Sequence, residues 1–598
     1  MKQSIRIGGA GGFWGDNVAA MEQLVTQGNV DYIMSDYLAE LTMAILAKQK
    51  DRDPAAGFAT DFVALSLRPV LQEVVQRKIR IVVNAGGMNP RACAAALQKL
   101  ADELEVRIKI GLVEGDDLMP REAALRAAGT VEIFTDQPLP EQVTSMNAYL
   151  GAFPIAAALD MGADVVITGR CADSALALAP LIHEFGWTAT DYDRLAAGSM
   201  VGHILECGTQ ATGGLFTDWE QVQGREEMGF PIAECGRDGS FIVTKPAGTG
   251  GLITPLVVAE QMLYEVGDPQ NYLLPDVTVD LTGVQLEQTA LDSVRLSGVR
   301  GRPPTHNYKV SATYLDGFRS TATLTMVGRG APEKARLIGE SFLNRTRALM
   351  KYKGFGDYRE TNIEVLGTEN ATFGLHARQH HSREVVLRIA VRHPQEKALQ
   401  IFARELAPFG TSGTPGTTGF GGRPKPTPVY RLFSFLSPKA DVDIRASVGQ
   451  EQIRFCPAPA ATWVDSPVIT IVDSPPPPHS DVVVPLRSIA VARSGDKADI
   501  SHLALIARCA EFYPLLRSLV TPEVVKDYLA HLVKGKVERY DVPGIHAVNF
   551  MLHEGLAGGG TASLRSDTLG KAFAEIMLDF EIAIPQTWLN HAHLWKQA

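Results

Sequence analysis

The sequence predicts an α/β parallel-sheet (Rossmann-like) N-terminal domain over residues 1–268. An α+β domain over residues 269–473 and a small ferredoxin-like α+β domain over residues 482–598 are predicted to follow. Short β-branched runs alternate with helical patterns in the first part, which is typical of a parallel sheet with covered faces. In the following region apolar and polar residues alternate, which is typical of antiparallel strands. The proline run in residues 474–481 then predicts a stiff linker before the last domain.

Five short apolar runs predict the parallel strands of the first domain. They lie near residues 5–7, 32–34, 79–83, 107–113 and 165–168. Each run ends in a polar residue or a glycine, and most are followed by a helical pattern. Because open α/β sheets bind ligands at the carboxyl ends of their strands, that edge of the sheet is the predicted site.

Polar residues follow the ends of these strands and are expected to line that edge. They are Asp16, Asp36, Asn84, Glu114 and Asp173. Any one of them alone is more often a helix cap than a catalytic group, because Asp and Asn accept hydrogen bonds from free backbone N–H groups. Together they make this edge the default site. We expect Asp173 to act in catalysis. The residues expected to contact substrate are Asp16, Asp36 and Asn84.

A second polar cluster contains His203, Glu206 and Cys207. A histidine beside a carboxylate supplies general acid–base catalysis, so His203 and Glu206 join Asp173 as catalytic candidates. Cys207 is a candidate nucleophile if His203 lowers the pKa of its thiol. The alternative for Cys207 is a small buried side chain with a packing role.

Two glycine turns in the first domain are candidate anion sites. Residues 8–17 separate the first strand from the first helix, a position that suits phosphate binding. Their spacing is not that of a dinucleotide fingerprint, so a tight turn with close helix packing is the alternative. Lys245 precedes a second turn that contains Thr249, and both are candidate substrate-binding residues. A solvated lysine beside a tight turn is the alternative there.

The α+β domain contains two further signals. Residues 308–328 alternate apolar and polar across residues 316–317, an Asp-Gly pair, which predicts a β-hairpin. Residues 408–426 contain six glycines together with Arg423 and Lys425. A long segment of this kind favours a phosphate loop or a lid over disorder, and we expect both cations to contact substrate.

Two loops of the C-terminal domain, residues 492–502 and 555–565, place glycines beside hydroxyl and charged groups, so both are candidate anion nests. His376, His380 and His381 have a spacing that could hold a metal on a helix. No cysteine and no clear helix accompany them, so a surface position is the favoured interpretation. No metal site is expected.

Composition narrows the function classes. The chain has 598 residues and a net charge of −10 at pH 7, which gives no basic face for nucleic acid or an anionic membrane. Its 6 cysteines are scattered without a CxxC pair, so neither a zinc site nor a disulfide framework is expected. The N-terminal residues predict a strand rather than an apolar signal segment, and a cytoplasmic location is expected.

Several longer motifs carry a family resemblance. In chain order they are GGAGGFWGD, VNAGGMNP, VITGRCADSALALAPLIHEFGW, HILECGTQATGG, TKPAGTGGLIT, TGFGGRPKP, SGDKAD and GGGTASLR. Together they resemble the acyclic terpene utilisation (AtuA-type) family, including its carboxy-terminal AtuA-like ferredoxin-fold domain, over nearly the whole chain. One departure is Ala498, where the family pattern has glycine. Alanine disfavours a left-handed turn at this position.

The resemblance implies a role in bacterial catabolism of acyclic terpenes such as citronellol and geraniol, through CoA thioesters and a carboxylation step. It implies an acyl-CoA ligand, with CoA as part of the substrate and no separate cofactor. It assigns no catalytic residues.

Several functions remain open at this point. The first is a hydratase or lyase acting on an unsaturated branched acyl-CoA thioester, because that chemistry needs an acid–base pair and donors for an enolate oxygen. The second is a non-catalytic subunit or scaffold for an acyl-CoA carboxylase. The third is acyl transfer or thioesterase activity with Cys207, and a nicotinamide oxidoreductase ranks last. We expect a homo-oligomer that contacts other terpene-catabolism enzymes, but neither nucleic acid nor a membrane.

Overall fold

The computed structural model describes residues 2–379, 381–455, 482–560 and 562–589. The linker predicted at residues 474–481 lies outside the described residues. Two large sheets, a four-stranded sheet and two smaller ones make up the β-structure of the described residues.

The first sheet contains eleven strands within the described ranges. In spatial order they are β11 (Gln285–Ala290), β12 (Ser293–Ser297), β8 (Phe241–Thr244), β7 (Ile232–Gly236), β1 (Ser4–Gly9), β2 (Tyr32–Ser35), β3 (Arg80–Val83), β6 (Val165–Thr168), β4 (Ile110–Glu114), β19 (Ile444–Val448) and β20 (Glu451–Phe455). The five strands predicted from the sequence are β1, β2, β3, β4 and β6, and they occupy the centre.

The prediction of a Rossmann-like parallel sheet is not confirmed, because the first sheet is mixed. The pairings among β1, β2, β3, β6 and β4 are parallel. All pairings outside these five strands are antiparallel. The outer strands come largely as hairpins, such as β7–β8, β11–β12 and β19–β20, and short connections of this kind allow only antiparallel pairing.

The predicted boundary at residue 268 does not separate two sheets. Strands β11 and β12 follow that residue and extend one edge of the first sheet. Strands β19 and β20 come much later in the chain and extend the opposite edge through β4.

Helices cover both faces of the first sheet. They are α1 (Ala20–Gln27), α2 (Glu40–Arg52), α3 (Leu71–Arg77), α4 (Pro90–Glu103), α5 (Glu122–Ala127), α6 (Phe153–Asp160), α7 (Ala175–Phe185), α8 (Tyr192–Leu205) and α9 (Pro255–Leu263). Neighbouring strand residues point to opposite faces. One core therefore packs α1 to α4 against Ile33 and Ile81, and the other packs α6 to α9 against Val82 and Val166.

The second sheet is built around one long strand, β14 (Asn307–Val327). Its other strands are β5 (Ser145–Ala148), β15 (Glu360–Leu366), β16 (Glu384–His393), β17 (Thr417–Thr418) and β18 (Thr427–Pro438). Its associated helices are α10 (Ala331–Tyr352), α11 (Glu396–Glu405) and α12 (Phe409–Ser412). A small third sheet contains β9 (Tyr272–Leu273), β10 (Thr278–Asp280) and β13 (Arg300–Arg302).

The prediction of a β-hairpin with its turn at residues 316–317 is wrong. Strand β14 continues through these residues and pairs with β18 before the Asp-Gly pair and with both β16 and β18 after it. The pairing register shifts between Leu315 and Phe318, and Gly317 has a φ of +83°. A glycine with positive φ therefore forms a bulge here, and bulges and hairpins share this sequence signal.

The C-terminal domain has a four-stranded antiparallel sheet in the order β22 (Ala490–Lys497), β23 (Ile500–Ala507), β25 (Ala547–Leu552) and β24 (Val537–Val542). Beside it lie β21 (Val482–Pro485), β26 (Glu581–Ile584), α13 (Tyr513–Leu519), α14 (Pro522–Tyr528), α15 (Phe573–Leu578) and α16 (Gln586–Leu589). This domain contacts the first domain through buried polar groups. The buried side-chain amide of Asn549 donates to the carbonyls of Val266 and Gly267 at 2.8 and 2.7 Å. Arg508 forms two hydrogen bonds of 2.6 Å with the Asp218 carboxylate.

Across the part of the chain that the structure describes, every helix is too short or too polar to span a lipid bilayer.

Candidate active site

Three of the predicted edge residues meet beyond the carboxyl ends of the central strands. Asp36 follows β2, Asn84 follows β3 and Asp173 follows β6. The Asp36 carboxylate accepts hydrogen bonds from the Asn84 side-chain amide at 2.5 Å and from the Leu38 N–H at 3.1 Å. Burial and the nearby charge of Asp173 raise the pKa of Asp36 well above its usual value.

Arg170 joins these carboxylates, although sequence analysis did not single it out. Its side chain is buried, and Nη1 donates to Asp173 Oδ1 at 2.5 Å and to the carbonyl of Leu38 at 3.1 Å. The guanidinium also lies 4.3 Å from the centre of the Tyr149 ring, a cation–π contact. Burial raises the pKa of Asp173 and Arg170 lowers it, and the net shift is upward.

A third group at this edge combines a carboxylate, a phenol and an amine. The hydroxyl of Tyr149 donates to Glu40 Oε1 at 2.5 Å. Lys309 Nζ, from β14 of the second sheet, lies 4.0 Å from the same oxygen. Burial raises the pKa of Glu40, but the charges of Lys309 and Arg170 outweigh it and lower that pKa to about 2. Burial lowers the pKa of the Lys309 amine to about 8.

His203 and Glu206 form a buried acid–base pair at the end of α8. His203 Nε2 lies 3.1 Å from the carbonyl oxygen of Met262, which can only accept, so Nε2 carries a proton. Its Nδ1 faces Glu206 Oε1 at 3.1 Å. Burial lowers the pKa of His203, but the Glu206 charge outweighs burial and raises it. Burial raises the pKa of Glu206, also with a contribution from the charge of Asp173.

The environment of Cys207 does not favour a thiolate. Burial and the negative charge of Glu206 raise the pKa of its thiol well above the usual value. Both ring nitrogens of His203 are already directed at other groups, namely Met262 and Glu206. A base that would activate the thiol is therefore not supplied by this histidine.

The C-terminal domain supplies a cation to the same region. Lys497 ends β22, and its Nζ lies 3.4 Å from Glu265 Oε2. Its side chain keeps 49% of its surface accessible. Burial lowers the pKa of Lys497, but the charges of Glu265, Tyr272 and Glu40 outweigh burial and raise it. The positive charge of Lys497 in turn lowers the pKa of Glu40 and of Asp173. Lys497 therefore lies close enough to Glu40 and Asp173 for its charge to act on both carboxylates.

The turn that presents Lys497 contains an alanine in the left-handed region. Residues 497 and 500 pair across a two-residue turn, and Ala498 has a φ of +59°. The missing glycine thus does not prevent the turn. The side chain of Asp499 accepts from the N–H groups of Leu556 and Gly558 at 3.1 and 2.9 Å. The N–H groups predicted as an anion nest in residues 555–565 are therefore partly used by the protein's own carboxylate; residue 561 lies outside the described part.

Asp16 lies in the first glycine loop and accepts a hydrogen bond from the backbone of the same loop. Its Oδ2 accepts from the Gly12 N–H at 2.9 Å. A Cβ on Gly12 would lie 2.7 Å from the backbone oxygen of Glu206, so the loop packs closely against the end of α8. Residues 8–17 therefore have the geometry of a tight turn with close helix packing, which was the alternative to a phosphate-binding loop. Asp16 also lines a small pocket together with Asp36.

The anion-site candidate Lys245 and the edge candidate Glu114 have local ion-pair partners. Lys245 is buried and its Nζ lies 3.0 Å from Asp292 Oδ2 while donating to the carbonyl of Thr249 at 2.8 Å. Glu114 forms two hydrogen bonds with Arg91, of 2.7 and 2.9 Å. The described contacts do not connect either residue with Asp173.

The glycine-rich segment 408–426 lies away from this site. It includes α12 and the short strand β17, which pairs with Thr325 and Met326 of β14. Lys309 marks the other end of β14, and at ~3.3 Å per residue the segment lies about 30 to 50 Å along the strand from it. Arg423 and Lys425 are exposed. The structure therefore does not bring these two cations to the acid–base cluster.

The histidine group predicted to lie at the surface is partly described. His376 is exposed and its ring stacks on Tyr528 with centroids 3.9 Å apart. His380 lies outside the described residues. Among the residues that are described, no group of three or more His, Cys, Asp or Glu side chains is arranged to hold a metal ion.

Comparison with family models accounts for most of the chain. The model of the acyclic terpene utilisation family protein AtuA matches residues 5–448. The chain belongs to the acyclic terpene utilisation family. A second model, the AtuA ferredoxin-like domain, matches residues 484–583, which confirms the ferredoxin-like C-terminal domain. Searches of curated proteins and of solved structures found no match. Family membership implies a role in acyclic terpene utilisation.

Sequence analysis did not predict several residues of this site. They are Glu40, Tyr149, Arg170, Glu265, Tyr272, Lys309 and Lys497. Lys309 and Lys497 come from other sheets, so no local pattern could connect them with Asp173. Arg170 lies three residues before Asp173, and that spacing was the available signal for it.

Proposed function

We propose that this protein is an acyl-CoA hydratase or lyase that acts on an unsaturated branched thioester during acyclic terpene utilisation. The observation that carries the proposal is the proximity of two carboxylic acids with raised pKa, Asp173 and Glu206, and the Lys497 ammonium: the charge of Asp173 acts on Glu206, and the charge of Lys497 acts on Asp173. Active sites are where burial and charge partners shift pKa values in this way.

The reaction needs two proton transfers. Water adds its oxygen to Cβ of the unsaturated thioester and a proton is added to Cα, and the reverse steps eliminate water. In its ionised form Glu206, whose pKa the His203 charge lowers against the larger effect of burial, takes the proton from water. Asp173, whose pKa is raised by burial, gives a proton to Cα. Proton exchange between the two acids through solvent restores the starting state.

Negative charge develops on the thioester oxygen as water adds. A positive group placed there lowers the barrier, because preorganised charges in a site of low dielectric stabilise an enolate strongly. Lys497 fits this role, since its one described ion pair, with Glu265, is long at 3.4 Å and half of its side chain is accessible. Tyr272 stands behind the acid–base pair, with its hydroxyl 3.5 Å from His203 Nδ1.

Hydration of 3-methylcrotonyl-CoA and of longer branched enoyl-CoA thioesters by the purified chain tests the proposal. Asp173→Asn and Glu206→Gln should each lower the rate by about 10²- to 10⁴-fold. Asp51→Asn and Glu226→Gln change exposed acids in the same way and serve as matched controls. Wild-type rates in both site variants would overturn the assignment. So would a wild-type chain that is inactive alone and merely enhances a carboxylase, as a scaffold would.

A further inference from the structure

Five arginines gather on the second sheet, away from the acid–base site. We name them the arginine cluster: Arg319, Arg359, Arg388, Arg392 and Arg431. The acids of the same sheet that contact them are Asp316, Glu360 and Glu364. The contacts of the described residues therefore bring five arginines of this sheet together with three acids.

Arg319 and Arg392 are direct neighbours across the β14–β16 pairing. Like charges directly opposite each other in an antiparallel pair are destabilising. Burial and the charges of Arg388 and Arg392 lower the pKa of Arg319 below its usual value. The sheet therefore holds a concentrated positive charge at this point, and an anion would relieve it.

The three acids are shared among several arginines. Asp316 Oδ2 lies 2.6 Å from Arg392 Nη2 and 2.8 Å from Arg431 Nε. Glu364 Oε2 accepts from Arg388 Nη1 at 2.5 Å, and it also serves the C-terminal domain through its other oxygen. The buried Nε of Arg392 has no hydrogen-bond partner among the described residues.

The C-terminal domain faces the cluster with one more arginine and two acids. Burial lowers the pKa of Arg565, and the charges of Asp499, Glu364, Asp567 and Glu360 oppose this, so Arg565 lies near acids of both domains. Asp499 and Asp567 are the acids, and their carboxylates accept hydrogen bonds from backbone N–H groups. Six arginines then face five acids, and two of those acids also share their oxygens with backbone N–H groups.

Hydroxyl groups and the glycine-rich segment border the cluster. Thr321 is exposed on β14 two residues beyond Arg319. A Cβ on Gly421 would lie 3.0 Å from Thr323 Oγ1, so the glycine-rich segment approaches the same stretch of β14. That segment continues past its exposed cations to Thr427, which pairs with Arg319. Cations, hydroxyls and glycine N–H groups are the donors that phosphate groups use.

The cluster is continuous with the turn that presents Lys497. A Cβ on Gly558 would lie 3.2 Å from Arg431 Nη2. The adjacent Gly559 packs against the backbone oxygen of Ala498, the residue after Lys497. A ligand could thus span from the arginine cluster to the acid–base site along the loop at residues 555–560.

We propose that the arginine cluster binds the phosphate groups of a CoA-type ligand whose thioester lies at Lys497. This inference rests on the proposed function for the identity of the thioester. Arginine suits the task because its planar guanidinium binds phosphate through two parallel hydrogen bonds. The glycine-rich segment then contacts the phosphorylated end of the ligand, far from the reacting atoms.

Calorimetric titration of the full chain with CoA and with pantetheine, which lacks the phosphates and carries no acyl group to react, tests the inference without turnover. Wild-type protein should bind CoA more tightly than pantetheine. Arg319→Gln should weaken CoA binding by about tenfold or more. It should thereby reduce the difference between the two ligands, and Arg319→Lys should restore part of it. Arg336→Gln, an exposed change on α10, is the matched control.

The outcomes separate the two proposals. If the gap between CoA and pantetheine is equal in Arg319→Gln and wild type, or if wild-type protein binds no CoA, the phosphate site is wrong. If wild-type protein hydrates S-acyl-pantetheine in either of those cases, the proposed chemistry still stands. If CoA binding depends on Arg319 but no thioester is turned over, the phosphate site stands and the proposed chemistry fails. The thermal stability of Arg319→Gln is measured separately. If this variant is less stable than wild type, the CoA binding of Arg319→Lys decides whether the phosphate site is correct.

Discussion

The Nε2 atom of His203 lies 3.1 Å from the carbonyl oxygen of Met262. Because that carbonyl can only accept, the contact fixes the tautomer and leaves Nδ1 for Glu206. The backbone carbonyl of Met262 therefore orients the His203 ring. A second hydrogen-bond partner commonly orients a functional histidine in this way.

Replacing His203 should shift the pH dependence of activity. The positive charge of His203 lowers the pKa of Glu206, so His203→Gln should raise that pKa further. If Glu206 acts as a base, the rising limb of the pH–rate profile should move to higher pH, and the maximal rate should fall. His306→Gln changes an exposed histidine and is the control. An unchanged limb would show that Glu206 does not act as the base.

Asp116 should make the protein less stable as pH rises. Burial raises its pKa to about 7, against about 3.9 in an unfolded chain. Between these values the folded state binds the proton and the unfolded state does not, so stability falls as pH rises through this window. Asp116→Asn removes the titration. The free energy of unfolding, measured in denaturant at pH 4 and pH 8, should therefore change in favour of the variant by at most about 4 kcal/mol.

The isosteric amide keeps an acceptor for the N–H of Arg170 and the amide of Asn147. Its effect on packing should therefore be the same at both pH values. A difference between variant and wild type that is independent of pH would contradict the assigned pKa shift.

Lys497 should matter for turnover more than for folding. Lys497→Met removes the charge that faces the thioester oxygen in the proposed reaction, and kcat should fall by about 10²- to 10³-fold. Lys497→Arg should keep part of the rate. Lys536→Met, on the same domain and 65% accessible, is the matched control. A rate within about twofold of wild type in Lys497→Met would exclude this role.

Ala498 should tolerate glycine but not valine. Its φ of +59° is reached by alanine at some cost and is strongly disfavoured for a β-branched side chain. Ala498→Val should lower the free energy of unfolding by about 1–2 kcal/mol and reduce activity, because the turn carries Lys497. Ala498→Gly should have little effect on either. Chemical denaturation and thioester assays of both variants check this, and equal behaviour of the two would be inconsistent with a strained turn.

Sequence patterns located the parts of the site that depend on local structure. The central strands were found from short β-branched runs, and the edge residues Asp36, Asn84 and Asp173 followed from the rule that parallel strands share a carboxyl edge. His203 and Glu206 were found as a polar cluster, and the structure places them 3.1 Å apart at the end of α8.

What the sequence could not provide was pairing over long distances. Lys309 and Lys497 reach Glu40 and Asp173 from separate sheets, and their own neighbourhoods carry no sign of this. The Asp-Gly pair at residues 316–317 was misread because the same residues suit a turn and a bulge, and only the pairing of β14 with β16 and β18 decides.

The order of strands in the first sheet also bears on how the chain reaches its native state. Strands β19 and β20 complete one edge of that sheet, yet they follow the whole of the second sheet in the chain. During synthesis the edge of β4 therefore stays unpaired until β19, which ends at residue 448, has emerged. An exposed strand edge invites pairing with other chains. The edge of β4 is therefore open to such pairing while the residues between β4 and β19, 115–443, are translated.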